Sequence, residues 1–460
     1  MRTTWLLLLC LTASLWTASA QEECFGILAG RSATADASVL LGHNEDDGGE
    51  QMVNLHVVPR HRALDRKSIG TEAARFLWAE LPGQEVADAF MNEYGVSVAS
   101  DNCPSRETEG RLTDGGVLYE VRLNVARFAR SAREAVRIIG NLVENYGYRG
   151  SGRTYIVADP REGWLVSVVN GKHWVAQRVP DDHVALVSNF YVIDAVDLTD
   201  TLNFAGSPDI IQYAVDRGWY NPIREGTFSF RRAYASEESR RSRHNVRRMA
   251  SALEQITGRD YGTDPDRFPF SVVPRKRISA SDVMAVLASH GEKVPAAGSD
   301  RGSICNNNTV LSTVFQLRTK PSPVLGCVMW TAVGHPAVEP YLPLCLGIEK
   351  LPRHFGRYNS WSKALEKHLA DASDLRKRFP KGIYWPVADR WTRLTAPGAD
   401  DAFFLRQAEA AAFQKKVFIE YRAFEAECAA LPEKKQARRA ASFFEKSWKS
   451  LKKSLGTTSN

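Results

Sequence analysis

No CxxC pair occurs anywhere in the 460 residues. That argues against a zinc ribbon or a thioredoxin-type site, since both draw two cysteines from one short turn. Beyond the first twenty residues, no stretch reaches the roughly 18 apolar residues that span a bilayer. No nucleic-acid-binding signature accompanies the basic balance, and neither an internal repeat nor a long low-complexity linker is present. "HNEDDGGE", residues 43–50, does not match the spacing of acidic residues around a central glycine in a calcium loop. It reads as an acidic loop, and neither a metal nor a cofactor is expected.

What remains is an ordinary globular composition, 44% hydrophobic and 25% charged. The length suits one large or two medium domains. The net charge is +7, and much of the excess lies near the C-terminus in "EKKQARRAASFFEKSWKSLKK". This segment reads as a solvated helix face.

The N-terminus reads as a processed leader. Arg2 gives a positive start, Trp5 to Trp16 an apolar core, and Ala18 and Ala20 the small residues that a signal peptidase accepts. Residues 1–20 are therefore expected to direct export, to a periplasm or outside the cell. A lipid anchor on Cys24 is disfavoured, because Glu23 stands where a small residue is needed. Of seven cysteines, Cys10 departs with the leader. Export permits disulfides, for instance among Cys305, Cys327 and Cys345, but spacing alone does not choose a pair.

Residues 24–350 mix strand and helix signals. "CFGILAG" and "SVLLGHN" are short apolar runs across a polar turn, as in a hairpin. Residues 125–143 show helical spacing at Val125, Phe128, Ala132, Val136, Ile139 and Val143, with Gly147 as the stop. "TYIVADPREGWLVSVVNGKHWVAQRV" predicts three strands turning at Asp159-Pro160 and Asn170-Gly171. From 351 to 460 the pattern is helical throughout. The whole predicts an α+β core with a helical C-terminal extension.

Cys24 raises a chemical question. A cysteine at a chain terminus carries its own α-amine, with a pKa of about 7.7–8.0, and that amine can serve as general base for the thiol beside it. Signal cleavage would leave Gln21-Glu22-Glu23 as a short prosegment, residues 21–23, that keeps the amine tied in a peptide bond. The competing reading is a buried thiol or disulfide partner at the start of a strand.

Several segments taken in order then carry a resemblance: "CFGILAG", "GHNEDD", "MNEYGVSVASDNCPSRE", "SAREAVRIIGNLVENYG", "YIVADPREGWLVSVVNGKHWVAQRVPDDHVALVSNFY" and "WTAVGHPAVEPYLPL". The chain resembles the dipeptidase–secernin family of N-terminal-nucleophile cysteine hydrolases, which is related to penicillin V acylases and bile salt hydrolases. The similarity runs from Cys24 to about Ile348. It implies a four-layer αββα sandwich and a nucleophilic Cys24 opening a central strand. Asp46 matches the aspartate of the relatives' RNxD motif and would orient the Cys24 amine. His43 stands where that motif has arginine, so it would donate to the thiolate or tune the pH dependence. Asn102 and Asn189 match two oxyanion asparagines, though asparagine is also common in turns. Cys103 is a rival nucleophile without an adjacent base.

The expected activity is that of an exported dipeptidase acting on short peptides through an acyl-enzyme, without a cofactor or a nucleic-acid partner. A homo-oligomer is compatible with the sequence. Two alternatives stay open: a deacylase of N-acyl amides, and a catalytically silent scaffold, which the loss of the motif's arginine favours.

Overall fold

The computed structural model describes residues 24–47, 51–85, 89–290, 303–352, 355, 358–371 and 374–454. The expected leader and prosegment, 1–20 and 21–23, lie outside the described residues. Two apolar runs open the described chain. Phe25–Ala29 and Val39–Asp46 are buried along their whole length, as strands covered on both faces must be. They pair antiparallel with Ile27 opposite Gly42, the hairpin that the sequence predicts.

These two strands form the middle of a seven-stranded sheet. Its order is Ser271–Val272, Val184–Val187, Phe25–Ala29, Val39–Asp46, Thr309–Leu317, Val328–Val333 and Leu342–Cys345. A second sheet of eight strands runs Phe204–Gly206, Trp174–Arg178, Gly163–Gly171, Tyr148–Ala158, Ser97–Asn102, Ala89–Asn92, Phe76–Glu80 and Asn54–Val58. The sheets lie face to face. A methyl group added to Gly26 would sit 2.6 Å from Asp101 Oδ2 and would also strike the Ile156 side chain on the second sheet. Gly26 therefore allows the two sheets to approach where the site is built.

Helices close both outer faces. Tyr119–Phe128 and Ala132–Tyr146 cover the eight-stranded sheet, with Ile139 and Val143 in one core alongside Trp164, Val166 and Trp174. Arg243–Thr257 and Ala280–Leu287 cover the seven-stranded sheet, and a methyl at Gly42 would run against Val283 and Leu287. The order helix–sheet–sheet–helix is the α+β, four-layer αββα sandwich that the resemblance implies.

The C-terminal helices include Trp361–His368, Trp385–Leu394, Asp400–Cys428 and Glu433–Ser454. Phe413, Val417, Tyr421, Phe424, Phe444 and Trp448 belong to the same hydrophobic core as Phe25 and Leu41. Trp361–His368 crosses to the other outer face, where Trp361 lies 5.6 Å from the ring of Trp78 and Glu80 bridges His56 and His368.

Two expectations are revised. The helical spacing over 125–143 belongs to two helices, because the chain turns at Ser131. Its side chain accepts from the Glu134 amide, the Arg130 amide donates to the Glu134 carboxylate, and the Ala132 amide donates to Asp159. Those three contacts start a new helix in mid-pattern. The cysteines also remain unpaired: all six described ones are free and buried. Val328 lies opposite Cys345, so strand alternation turns the neighbouring Cys327 to the other face. Its Sγ approaches Gly95, in the turn between Ala89–Asn92 and Ser97–Asn102, while Cys345 interacts with Tyr421 in the helical layer. Cys305 sits in a separate small cluster with Val338, Trp391 and Phe403.

Candidate active site

Cys24 stands immediately before the central strand Phe25–Ala29. Phe25 pairs with Asn44, which brings Cys24 beside Glu45. The Cys24 Sγ donates to Glu45 Oε2 at 3.6 Å in a buried contact. Alternation along Val39–Asp46 divides its polar end between two faces. His43 and Glu45 turn toward the second sheet, whereas Asn44 and Asp46 turn toward the helices, where Asn44 donates to the carbonyls of Leu287 and Ile304.

On the inner face, His43 Nε2 lies 3.1 Å from Asp101 Oδ1 and Nδ1 lies 4.0 Å from Glu45 Oε1. Arg122, from the helix Tyr119–Phe128, brings Nη1 to 3.6 Å from Glu45 Oε1. Burial by itself would lower the His43 pKa, but the Asp101 and Glu45 carboxylates outweigh it and raise the value above the ordinary imidazole range. His43 thus lies between two carboxylates that favour its protonated form.

On the helix side, Arg248 is the hub. It is fully buried and sits on the apolar face of Arg243–Thr257. Its Nη1 donates to the Cys24 carbonyl at 3.1 Å and lies 3.7 Å from Asp46 Oδ2. Its Nη2 donates to Asn189 Oδ1 at 2.7 Å and to Asn245 Oδ1 at 2.9 Å. Asp46 also accepts from Asn306 Nδ2 at 2.7 Å. Asn189 adopts φ +56°, a left-handed conformation costing of order 1 kcal/mol outside glycine. Ser239 holds it there by donating to its carbonyl.

The structure thus brings Cys24, His43, Asp46 and Asn189 into one cluster. Asn102 joins by its backbone: Asn189 Nδ2 donates to the Asn102 carbonyl at 2.9 Å, while the Asn102 side chain accepts from Ser151 at 3.5 Å. Cys103, the rival nucleophile, is wholly buried, and burial pushes its thiol pKa far up with Asp101 adding to the effect. It is poorly suited to form a thiolate.

Sequence reasoning missed Glu45, Asp101, Arg122 and Arg248. For Glu45 the signal was present, because a strand that aims His43 at the site must aim Glu45 there too. For Arg248 it was a cation spaced three residues after Asn245 and four before Ala252, within the apolar stripe. Asp101 and Arg122 carry no comparable local mark, since their partners lie far away in the chain.

The profile of peptidase family C69 matches residues 108–364, more than half of the chain. The chain belongs to peptidase family C69 and is an enzyme of the hydrolase class. The matched stretch includes Arg122, Asn189 and Arg248. Among curated relatives, a probable dipeptidase of Salmonella dublin is 24% identical over 368 residues, covering 72% of this chain and 82% of the relative. Dipeptidase A of Lactobacillus helveticus is 26% identical over 375 residues, covering 72% and 77%. Among solved structures, a mutant conjugated bile acid hydrolase from Clostridium perfringens aligns with TM-score 0.33 and 12% identity, over 67% of this chain and 89% of that one.

Proposed function

We propose that the protein is an exported dipeptidase whose nucleophile, Cys24, is unmasked by removal of residues 1–23. The observation that carries this reading is the placement of Cys24. Its thiol touches Glu45, and its carbonyl is held by an arginine that also binds Asp46 and Asn189. Family membership and the dipeptidase names of the relatives support the substrate class.

While Cys24 is still joined to Glu23, its nitrogen is an amide and cannot accept a proton. Glu45 accepts from the thiol, so it serves as base for processing. The thiolate attacks the Glu23 carbonyl, and the acyl group moves from nitrogen to sulfur as the amide nitrogen takes a proton. Water then hydrolyses the thioester and frees both the amine and the thiol.

In the mature enzyme the neutral α-amine, oriented by Asp46, takes the thiol proton. The thiolate adds to the peptide carbonyl, and the oxyanion is stabilised by Asn189 Nδ2. The C–N bond breaks, and the leaving amine takes the proton back from the α-ammonium. Water, deprotonated by the amine, releases the acyl group and restores the thiol.

Intact mass of the secreted protein tests the first step, and a chain beginning at Cys24 is expected. Cys24→Ser should lower dipeptide hydrolysis by several orders of magnitude with the circular dichroism spectrum unchanged. Full activity in that variant, or an active enzyme that retains Gln21, rules the mechanism out.

A further inference from the structure

Cys24, His43 and Glu45 each present one ligand atom, and these atoms all lie within 4.8 Å of one another in a buried cluster. A sulfur, an imidazole nitrogen and a carboxylate oxygen are the donors that zinc takes in proteins, at about 2.3, 2.0–2.1 and 2.0–2.2 Å. Around a tetrahedral ion those bond lengths place sulfur and oxygen about 3.6 Å apart, and nitrogen and oxygen about 3.4 Å apart. The structure has Cys24 Sγ 3.6 Å from Glu45 Oε2 and His43 Nδ1 4.0 Å from Glu45 Oε1. The two contacts fall on different oxygens of the Glu45 carboxylate, so binding one ion requires that carboxylate to turn and the imidazole to move closer.

The surroundings of His43 point the same way. A metal-bound histidine characteristically gives its other ring N–H to a carboxylate, which fixes the tautomer and strengthens the ligand. His43 makes that contact, Nε2 to Asp101 Oδ1 at 3.1 Å, and so turns Nδ1 toward Glu45 and Cys24.

We propose that this cluster is an inhibitory site for a thiophilic divalent cation, zinc above all, built by the histidine that replaces arginine in the RNxD pattern. The proposal rests on Cys24 being the catalytic thiol, since a thiolate bound to zinc cannot attack a carbonyl. Binding breaks the S–H bond of Cys24, releases that proton to solvent, takes the Nδ1 lone pair of His43, and involves no change of oxidation state. The fourth position is left to water or to a substrate group, as in other three-ligand sites. A guanidinium at position 43 cannot coordinate, so a protein with arginine there lacks the site.

Titration calorimetry of the mature protein with zinc chloride is the direct test, together with the thiolate-to-cobalt absorption band on adding cobalt(II). One zinc per chain is expected, with peptide hydrolysis lost on binding and recovered on adding a chelator. His43→Arg should weaken zinc binding by more than the roughly 10- to 100-fold that loss of an outer partner costs, and Asp101→Asn should fall within that range. Should either variant fail to fold, Glu45→Gln with the cobalt band as readout takes its place. The proposal is overturned if the mature wild type binds no zinc, if the cobalt complex lacks the thiolate band, or if His43→Arg binds as tightly as wild type. A protein that hydrolyses dipeptides yet ignores zinc overturns this inference alone. One that binds zinc through Cys24 yet hydrolyses no peptide overturns the dipeptidase assignment instead.

Discussion

Asn189 shows how single residues are held for chemistry. Its left-handed backbone, its bond to Arg248 and its bond to the Asn102 carbonyl leave the amide little freedom. Asn102, in contrast, turns its own side chain to Ser151. The two asparagines therefore predict different outcomes. Asn189→Ala should lower turnover by about 10²- to 10³-fold, as for loss of one oxyanion donor. Asn102→Ala keeps the main chain and should cost about tenfold or less, well under what a lost donor costs. Steady-state kinetics of both variants with one dipeptide checks this, and equal losses would return the Asn102 side chain to the oxyanion site. The sequence marks both residues through the order of motifs, but not which way the Asn102 side chain turns. That depends on where the strand Ser97–Asn102 ends, and end geometry leaves no trace in residue identity.

Single elements were legible to different degrees. The hairpin of Phe25–Ala29 and Val39–Asp46 was plain from its apolar runs, although the second strand ends in four buried polar residues, His43 to Asp46. The break at Ser131 was obscured, since the apolar spacing continues across it and only the Ser131–Glu134 pair marks a fresh start. The segment between Val328–Val333 and Leu342–Cys345 reads as a proline-stiffened closure, but its anchoring is tertiary. His335 stacks on Trp391 with ring centres 3.6 Å apart and bonds the Asn306 carbonyl through Nδ1. Asn306 in turn holds Asp46. Burial depresses the His335 pKa to about 3, despite the opposing hydrogen bond to Asn306. The folded protein thus binds fewer protons at this ring than the unfolded chain does below about pH 6.5. The stability contribution is complete above that pH and is lost as pH falls toward 3, at up to about 1.4 kcal/mol per pH unit. Chemical denaturation at several pH values should show a shallower acid limb for His335→Gln than for wild type. Parallel curves would mean that the ring titrates as if exposed.

At the scale of the whole molecule, the C-terminal helices are part of the sandwich. Sequence alone sets them apart, because charge and helical spacing change character after residue 350, and which sheet face they cover is decided by surfaces distant in the chain. Glu433–Ser454 packs Phe444 and Trp448 against Phe355, at 5.2 and 4.6 Å between ring centres. Its basic residues face outward, and its apolar side completes the layer over Leu342–Cys345. Ending the chain at residue 431 should therefore bare aromatic surface, lower the melting temperature by several degrees or more, and increase binding of a hydrophobic dye. An unchanged melt would make this helix an appendage.

The strand behind Cys24 is gripped on both edges, with Ile27 opposite Gly42 on one side and Leu186 on the other, and Arg248 clasps the Cys24 carbonyl itself. None of those holds involves anything upstream of the cysteine. Cutting the chain ahead of it therefore leaves each of these holds in place. On the proposed mechanism, what the cut adds is the amine alone, set on a strand that these holds already fix.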